Sequence, residues 1–255
     1  MRVLFVAGEV APFSETTETA RLMRVLPEAL QEERGVEPRI MMPRYGVVSE
    51  RRNRLHEVIR LSGDVIEAGD HSETLKVKVA SIPGIRLQVY FMDAVHFFKR
   101  RGVHLNKRDG KLFEDNPARA LFYARAALAT ARKLGWDPDV VHAAGWIAAF
   151  VPHVLRTELD AGDPLAGARV VYTPDTVEDY EAMLTAEEAE SLGLPSEWAG
   201  QSLRAIGLST ADAVLYADDD AARDGEPAGP SLAAEPESSE AAADLYGSLG
   251  AAAAA

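Results

Sequence analysis

The stretch MRVLFVAGEV, residues 1–10, and its continuation APFSETTETARL, residues 11–22, decide the fold. The short apolar run RVLFVA ends at Gly8, which is typical of a strand that is buried on both faces. Apolar residues then recur at helical spacing over residues 19–33, and Gly35 provides a helix stop. The pattern predicts a buried strand, a loop and a helix, the unit from which parallel α/β sheets are built.

The rest of the chain repeats this alternation of buried strand and helix. Further buried runs lie at residues 38–42, 139–144, 168–173 and 213–217, and helical patterns lie at residues 116–134, 145–159 and 196–208. Residues 55–92 differ because apolar and polar residues alternate there between turn sequences, which predicts antiparallel strands. We therefore predict an α/β fold, a Rossmann-like parallel sheet with an antiparallel hairpin insertion on one edge.

Composition and charge exclude several classes of function. The 255 residues carry a net charge of -13, and such a surface repels nucleic acid and anionic membranes, so neither is expected as a partner. The absence of Cys excludes disulfides, thiolate metal sites and Cys nucleophiles, and no spacing of metal ligands or cofactor motif stands out. No apolar stretch reaches the roughly 20 residues that span a bilayer. These features predict a soluble, cytoplasmic protein.

The composition changes after Arg223. Residues 224–255 are rich in Pro, Glu, Ser, Ala and Gly, which predicts a disordered tail behind a folded domain over residues 1–223. Leu245, Tyr246 and Leu249 form a small apolar island in this tail. The island is either a remnant without a role or a short docking motif.

Several blocks of the sequence resemble, in order, the N-terminal domain of bacterial glycogen and starch synthases, glycosyltransferase family 5. They are MRVLFVAGEVAPFSETT, LPEAL, PRYG, DGKLFEDNPARALFYARAALA, DVVHAAGWIAAFVP, RVVYTPDT and SLRAIGLSTADAVLYA. The resemblance implies the N-terminal half of a GT-B fold, a clamp of two Rossmann-like domains. In that family the N-terminal domain holds much of the glucan acceptor surface, and the C-terminal domain holds most of the ADP-glucose site.

The loop after the first strand departs from the family pattern. The family reads KTGGLxD, in which the Lys meets the diphosphate and the glycines let backbone N–H groups approach it. In this chain Glu15 stands at the Lys position, Thr17 and Glu18 at the two Gly positions, and Arg21 at the Asp position. A carboxylate about 4 Å from a phosphate is unfavourable by a few kcal/mol at an effective dielectric near 20. The resemblance therefore implies a disabled phosphate loop.

Two further family motifs have lost polar groups. The family's HxHDW keeps its first His at His142 and its Trp at Trp146, but Ala144 replaces the inner His and Gly145 replaces the Asp. The segment that corresponds to TIHN reads TPDT and contains Asp175. These losses with a retained scaffold predict a fold that persists without its original catalysis.

Six residues are candidates for residual contacts with glucan or another ligand: Glu9, Asp115, Asn116, Arg119, His142 and Trp146. Helix capping explains Asp115 or Asn116 equally well. A simple hydrogen bond is the commoner role for a His at a strand end, and packing is the simpler role for Trp146. For Glu9 two interpretations are equally good: a contact with a ligand, or a solvent-exposed residue at the end of a strand.

Arg119 is less easily explained by capping, and we expect it to line the cleft. The basic segment FFKRRGVHLNKRDGK, residues 97–111, is either a solvated loop or a contact for an anion or polysaccharide.

The sequence leaves three functions open. The leading hypothesis is a non-catalytic homologue that binds α-glucan (glycogen), or acts as a scaffold or regulator of glycogen metabolism. The second is an ADP-glucose:α-glucan glucosyltransferase that works with a separate C-terminal half. The third is a protein-interaction module unrelated to carbohydrate, which binds a partner or a second copy through the exposed cleft face.

Overall fold

An eight-stranded, mostly parallel sheet forms the centre of the fold. The computed structural model describes residues 1–176, 182–218 and 222–253. The strands of this sheet are β1 (Arg2–Ala7), β2 (Glu37–Pro43), β3 (His56–Glu57), β6 (Lys76–Ser81), β7 (Gln88–Asp93), β8 (Val140–Ala144), β9 (Arg169–Thr173) and β10 (Ala213–Val214), and the strands β4 (Val65–Ala68) and β5 (His71–Thr74) form a separate hairpin. Their spatial order in the main sheet is β10-β9-β8-β1-β2-β7-β6-β3.

The directions of the strands confirm the predicted fold class. β1 runs parallel to both β2 and β8, with Phe5 opposite Ile40 on one side and His142 on the other. β9 and β10 continue the parallel sheet on the β8 side, and β7 continues it on the β2 side. Residues 55–92, predicted as an antiparallel insertion, supply β3 and β6, which pair antiparallel at the β7 edge. They also supply β7, which pairs antiparallel with β6 but parallel with β2, so this strand belongs to the central sheet and not to an insertion.

The helices are α1 (Glu18–Arg34), α2 (Glu50–Asn53), α3 (Val95–Phe98), α4 (Asn116–Leu134), α5 (Val151–Thr157), α6 (Ala186–Leu192), α7 (Leu203–Thr210) and α8 (Ser239–Ala253). α4 has the predicted bounds, but the helix predicted over residues 145–159 is shorter. A 3-10 turn at Trp146–Ala148 precedes α5, and Pro152 lies in the first turn of α5, where a missing N–H does no harm. The helix predicted over residues 196–208 is also shorter at its start, because α7 begins at Leu203, after the N-cap residue Ser202.

α4 is tied to the carboxyl ends of the central strands. The buried Tyr123 hydroxyl lies 2.8 Å from the carbonyl oxygen of Ala7 and 2.9 Å from that of Met41. This contact fixes the helix against β1 and β2 at the edge of the sheet where the candidate site lies. None of the helices formed by the described residues is long and apolar enough to cross a membrane.

The C-terminal segment differs from the predicted disordered tail. Over the described residues 222–253 it contains α8, which packs against α1. Ala242 and Tyr246 are buried, and the Ser239 hydroxyl donates to Glu33 on α1 at 2.6 Å. Disorder was predicted from composition, but the few apolar side chains lie four residues apart on one helix face and dock together. Of the two alternatives for the apolar island, a remnant or a docking motif, the structure supports docking, and the surface that it docks on belongs to its own domain.

Candidate functional site

The candidate site lies where the carboxyl ends of the parallel strands meet. From β1 the chain passes to β2 on one side and later returns to β8 on the other, so the winding direction changes between β1 and β8. Open α/β sheets bind their ligands at such a switch point. Glu9 follows β1, Tyr45 follows β2, Gly145 follows β8 and Asp175 follows β9.

Glu9 is folded back onto the loop that follows it. Its carboxylate is only 8% exposed and accepts hydrogen bonds from the hydroxyls of Ser14 and Thr16 and from the Thr16 N–H at 3.3 Å. Burial raises the pKa of Glu9, and the negative charge of Asp175 raises it further. The alternative of a solvent-exposed strand end is therefore wrong, and Glu9 shapes the loop at the switch point.

Two of the altered positions, Thr17 and Gly145, adjoin a third, Asp175. The Asp175 carboxylate accepts hydrogen bonds from the Trp146 N–H at 2.6 Å and from the Thr17 hydroxyl at 3.3 Å. Gly145 has a φ of +86°, and a Cβ added there would lie 3.3 Å from each carboxylate oxygen of Asp175. Burial raises the pKa of Asp175. We call Glu9, Asp175 and the groups that donate to them the carboxylate cluster.

The charged side chains that replace the family residues in the loop form ion pairs with one another at the surface. Arg21 Nε is 2.5 Å from a Glu15 oxygen, and Arg21 Nη1 is 2.8 Å from a Glu18 oxygen. All three side chains are substantially exposed. Arg21 is the one cation in residues 14–21, and two carboxylates already engage it, so the loop offers no unpaired cation to a phosphate.

His142 and Ala144 lie inside the fold instead of at the cleft. Both are completely buried. The two ring nitrogens of His142 lie 2.7 Å from the Tyr246 hydroxyl and 2.7 Å from the Thr173 hydroxyl. Burial lowers the pKa of His142 to about 3, so the ring is neutral at physiological pH. Both nitrogens are occupied, as the hydrogen-bonding interpretation of His142 predicted, and neither is left for a ligand.

Arg119 is hydrogen-bonded to the backbone of the basic segment. Its guanidinium is fully buried and donates to the carbonyl oxygens of Phe97 at 2.8 Å and Val103 at 2.7 Å, and to the Asn116 side-chain oxygen at 2.6 Å. The Asn116 amide in turn donates to the His104 carbonyl at 3.1 Å. Burial lowers the pKa of Arg119 to about 10. The expectation that Arg119 lines the cleft is therefore wrong.

Asp115 completes this arrangement. Its side chain makes no capping hydrogen bond to α4 and instead binds both terminal nitrogens of Arg100. Burial alone would raise the pKa of Asp115, but the hydrogen bonds and charge of Arg100 outweigh it and lower the pKa. The Trp146 ring lies 5.3 Å from the Arg119 guanidinium carbon, which is cation–π distance. We call Asp115, Asn116 and Arg119 the arginine clamp.

A cavity of about 430 Å³ separates the loop after β1 from the basic segment. Its polar and apolar lining residues are Pro12, Phe13, Ser14, Glu15, Thr16, Val47, Gly102, Val103, His104, Leu105, Asn106, Lys107 and Gly110. We call it the loop cavity. Burial, and the charge of Arg119, lower the pKa of His104 to about 4, so this wall residue is neutral. The volume suits a ligand of one or a few sugar rings.

Tyr45 is a site residue that the sequence analysis missed. Its hydroxyl is completely buried and has no hydrogen-bond partner among the described residues. The charges of Arg119 in the clamp and of Glu9 and Asp175 in the cluster all act on it electrostatically. Its position directly after β2 was the signal that could have identified it. Among the described residues no group of three His, Asp or Glu side chains is arranged to hold a metal ion.

The doubly wound sheet with its polar cluster at the switch point defines a Rossmann-like domain of the GT-B type. The chain belongs to the family described as the starch synthase catalytic domain, whose family model matches residues 2–224. The "Glycogen synthase" of Chlorobium limicola is 37% identical over 176 residues, which are 69% of this chain and 36% of that protein. The "Glycogen synthase" of Chlorobaculum parvum is 32% identical over 93% of this chain and 48% of its own length.

A solved structure supports the fold independently. The catalytic domain of starch synthase IV from Arabidopsis thaliana, bound to ADP and acarbose, superimposes with a TM-score of 0.67 at 22% identity. The match covers 86% of this chain and 45% of the plant chain. The chain thus spans half or less of the length of these relatives.

Proposed function

We propose that this chain binds α-glucan without transferring glucose, as a binding, scaffold or regulatory module of glycogen metabolism. The carboxylate cluster carries the proposal. It places Glu9 and Asp175 at the switch point, with Glu15 at the position where the family resemblance implies a Lys that pairs with a diphosphate. Negative charge there opposes a nucleotide diphosphate and offers no stabilisation to a departing one.

The loop cavity supports the glucan part of the proposal. It combines hydroxyl, amide and ammonium groups at Ser14, Thr16, Asn106 and Lys107 with an apolar wall. Neutral sugars need hydrogen-bonding partners and an apolar surface, and they need no phosphate-binding cation. The loss of a diphosphate site is therefore compatible with retained glucan binding.

The first experiment measures glucan binding by native affinity electrophoresis of the chain in gels with and without glycogen. We expect retardation by glycogen. Val47 lines the cavity and is 40% exposed, so Val47→Arg blocks the cavity at little cost in packing and should abolish the retardation. Val65→Arg is the matched control, because Val65 is 62% exposed and lies on β4, away from the cavity. Equal migration with and without glycogen would remove glucan from the proposal.

The second experiment tests the absence of transfer. The Arabidopsis structure holds ADP, so ADP is the probe for the donor side. We expect no saturable heat from ADP in calorimetry and no incorporation of labelled glucose from ADP-glucose into glycogen. Incorporation by the pure chain would overturn this half of the proposal and favour a working synthase.

A further inference from the structure

A second cavity, of about 630 Å³, shares Phe13 with the loop cavity as a lining residue. Its lining residues come from the loop after β1, the end of α2, β3, and the end of β6 with the turn that follows. They are Phe13, Arg52, Asn53, Arg54, His56, Ala80, Ser81 and Pro83. Of the described residues that line it, three are basic and none is acidic. We call it the arginine cavity. Such a cavity is unexpected in a chain with a net charge of -13.

The charges in this cavity are not neutralised by the fold. Arg52 and Arg54 are exposed, and neither guanidinium pairs with a carboxylate in the described parts of the chain. An adjacent cation, Lys78, behaves differently. Lys78 Nζ lies 2.9 Å from Glu50 and 2.7 Å from Asp93, so that its charge is balanced locally. The arginine cavity therefore keeps a positive potential that attracts anions.

The backbone at Arg54 gives a second, independent observation. Arg54 ends α2 with a φ of +53° and a ψ of 42°, in the left-handed region that favours glycine. Gly35, Gly135 and Gly193 occupy the same position after α1, α4 and α6. Among the described residues, Arg54 is the one non-glycine residue with a positive φ. A strained position that carries an arginine instead of a glycine points to a use for its side chain.

We propose that the arginine cavity binds a small organic phosphate monoester. Such an ester carries nearly two negative charges at neutral pH, which match the two guanidinium groups of Arg52 and Arg54, with His56 beside them. The Asn53 amide and the Ser81 hydroxyl provide partners for hydroxyl groups of the organic part. A carboxylate would neutralise only half of this charge. The concave shape favours a small molecule over a flat polyanionic surface.

The experiment is calorimetric titration of the full chain at low salt with ribose 5-phosphate, inorganic phosphate, sulfate and ribose. We expect saturable binding of ribose 5-phosphate, weaker binding of inorganic phosphate and none of ribose. Arg54→Gly should weaken ribose 5-phosphate binding about tenfold or more, because a charge-assisted hydrogen bond is lost. Its Tm should equal or exceed that of the parent, since glycine adopts the same φ without strain.

Arg51→Ala is the matched control, because Arg51 is an exposed arginine on the same helix that does not line the cavity. We expect its affinity for ribose 5-phosphate to stay within about twofold of the parent. Equal losses in Arg51→Ala and Arg54→Gly, or equal affinities for sulfate and the phosphate ester, would mean unspecific attraction of anions and overturn the proposal. The absence of saturable binding by ribose 5-phosphate would also overturn it.

Discussion

The arginine clamp and the carboxylate cluster lie at the same end of the sheet, and both bury charge. Arg119 donates to two backbone carbonyls and one amide oxygen, and Asp175 accepts from one N–H and one hydroxyl. In neither case does a described side chain of opposite charge share the hydrogen bonds. Both buried charges are hydrogen-bonded to neutral dipoles. The nearby charge of Asp115 also stabilises Arg119, and that of Arg204 also stabilises Asp175.

The two regions differ in how they respond to that burial. The Arg119 guanidinium stays charged, since its lowered pKa of about 10 is still far above neutral pH, and two of its three hydrogen bonds join α4 to the basic segment, at Phe97 and Val103. The carboxyls of Glu9 and Asp175 have raised pKa values and can relieve the burial by taking up a proton. The comparison teaches that the clamp contributes to folding, whereas the charge of the cluster opposes it.

The largest effect is expected at the clamp. Arg119→Met keeps the length of the side chain but leaves the carbonyls of Phe97 and Val103 and the amide oxygen of Asn116 without their donor. Unsatisfied buried acceptors are costly, so the free energy of unfolding should fall by about 3–5 kcal/mol, as measured by urea denaturation.

Arg132→Met is the control for this prediction. Arg132 lies on the same helix, is 46% exposed and pairs with Asp163 at 3.4 Å, so its loss should cost less than about 1 kcal/mol. Similar losses for the two variants would contradict the structural role of the clamp. Such a result would favour the interpretation from the sequence, in which Arg119 lines the cleft.

The sequence predicts those parts of the fold that local signals define. α4 has its predicted bounds because Pro117 starts it and Gly135, with a φ of +60°, ends it. α8 could not be predicted from composition, because its decisive contact joins Tyr246 to His142, 104 residues away. Such contacts become visible only once the sheet has brought the segments together.

The site shows the same limit. The family resemblance identifies Thr17, Gly145 and Asp175 as three separate departures, but it does not show that they contact each other. Thr17 and Asp175 are 158 residues apart in the chain. The glycine at 145 and the carboxylate at 175 fit together sterically, so these substitutions form one rearranged cluster instead of independent losses.

A smaller effect of opposite sign is expected at the cluster. Asp175→Asn keeps an acceptor oxygen for the Trp146 N–H but removes the buried charge. The folded pKa of Asp175 lies above its unfolded value of 3.8, so the folded state binds more protons between the two values and stability falls as the pH rises. The variant should be more stable than the parent above the folded pKa, and this gain should shrink to a constant below about pH 3.8.

Thermal unfolding at several pH values measures this difference, and Asp175→Ala serves as its control. Alanine removes the hydrogen bonds to the Trp146 N–H and the Thr17 hydroxyl together with the charge, so Asp175→Ala should be less stable than Asp175→Asn at every pH. A pH-independent difference between Asp175→Asn and the parent would contradict the idea that the charge of the cluster opposes folding.

The smallest effect is expected at the surface part of the loop. Arg21→Ala removes both ion pairs, to Glu15 and to Glu18, but the three side chains are 56%, 38% and 48% exposed. Exposed ion pairs contribute little because water screens them, so the substitution should change the free energy of unfolding by less than about 0.5 kcal/mol. At about 1 M salt this change should disappear. A double-mutant cycle with Glu15→Ala measures the coupling. A loss above about 1.5 kcal/mol would mean that the reversed pair, like the clamp, holds the fold together.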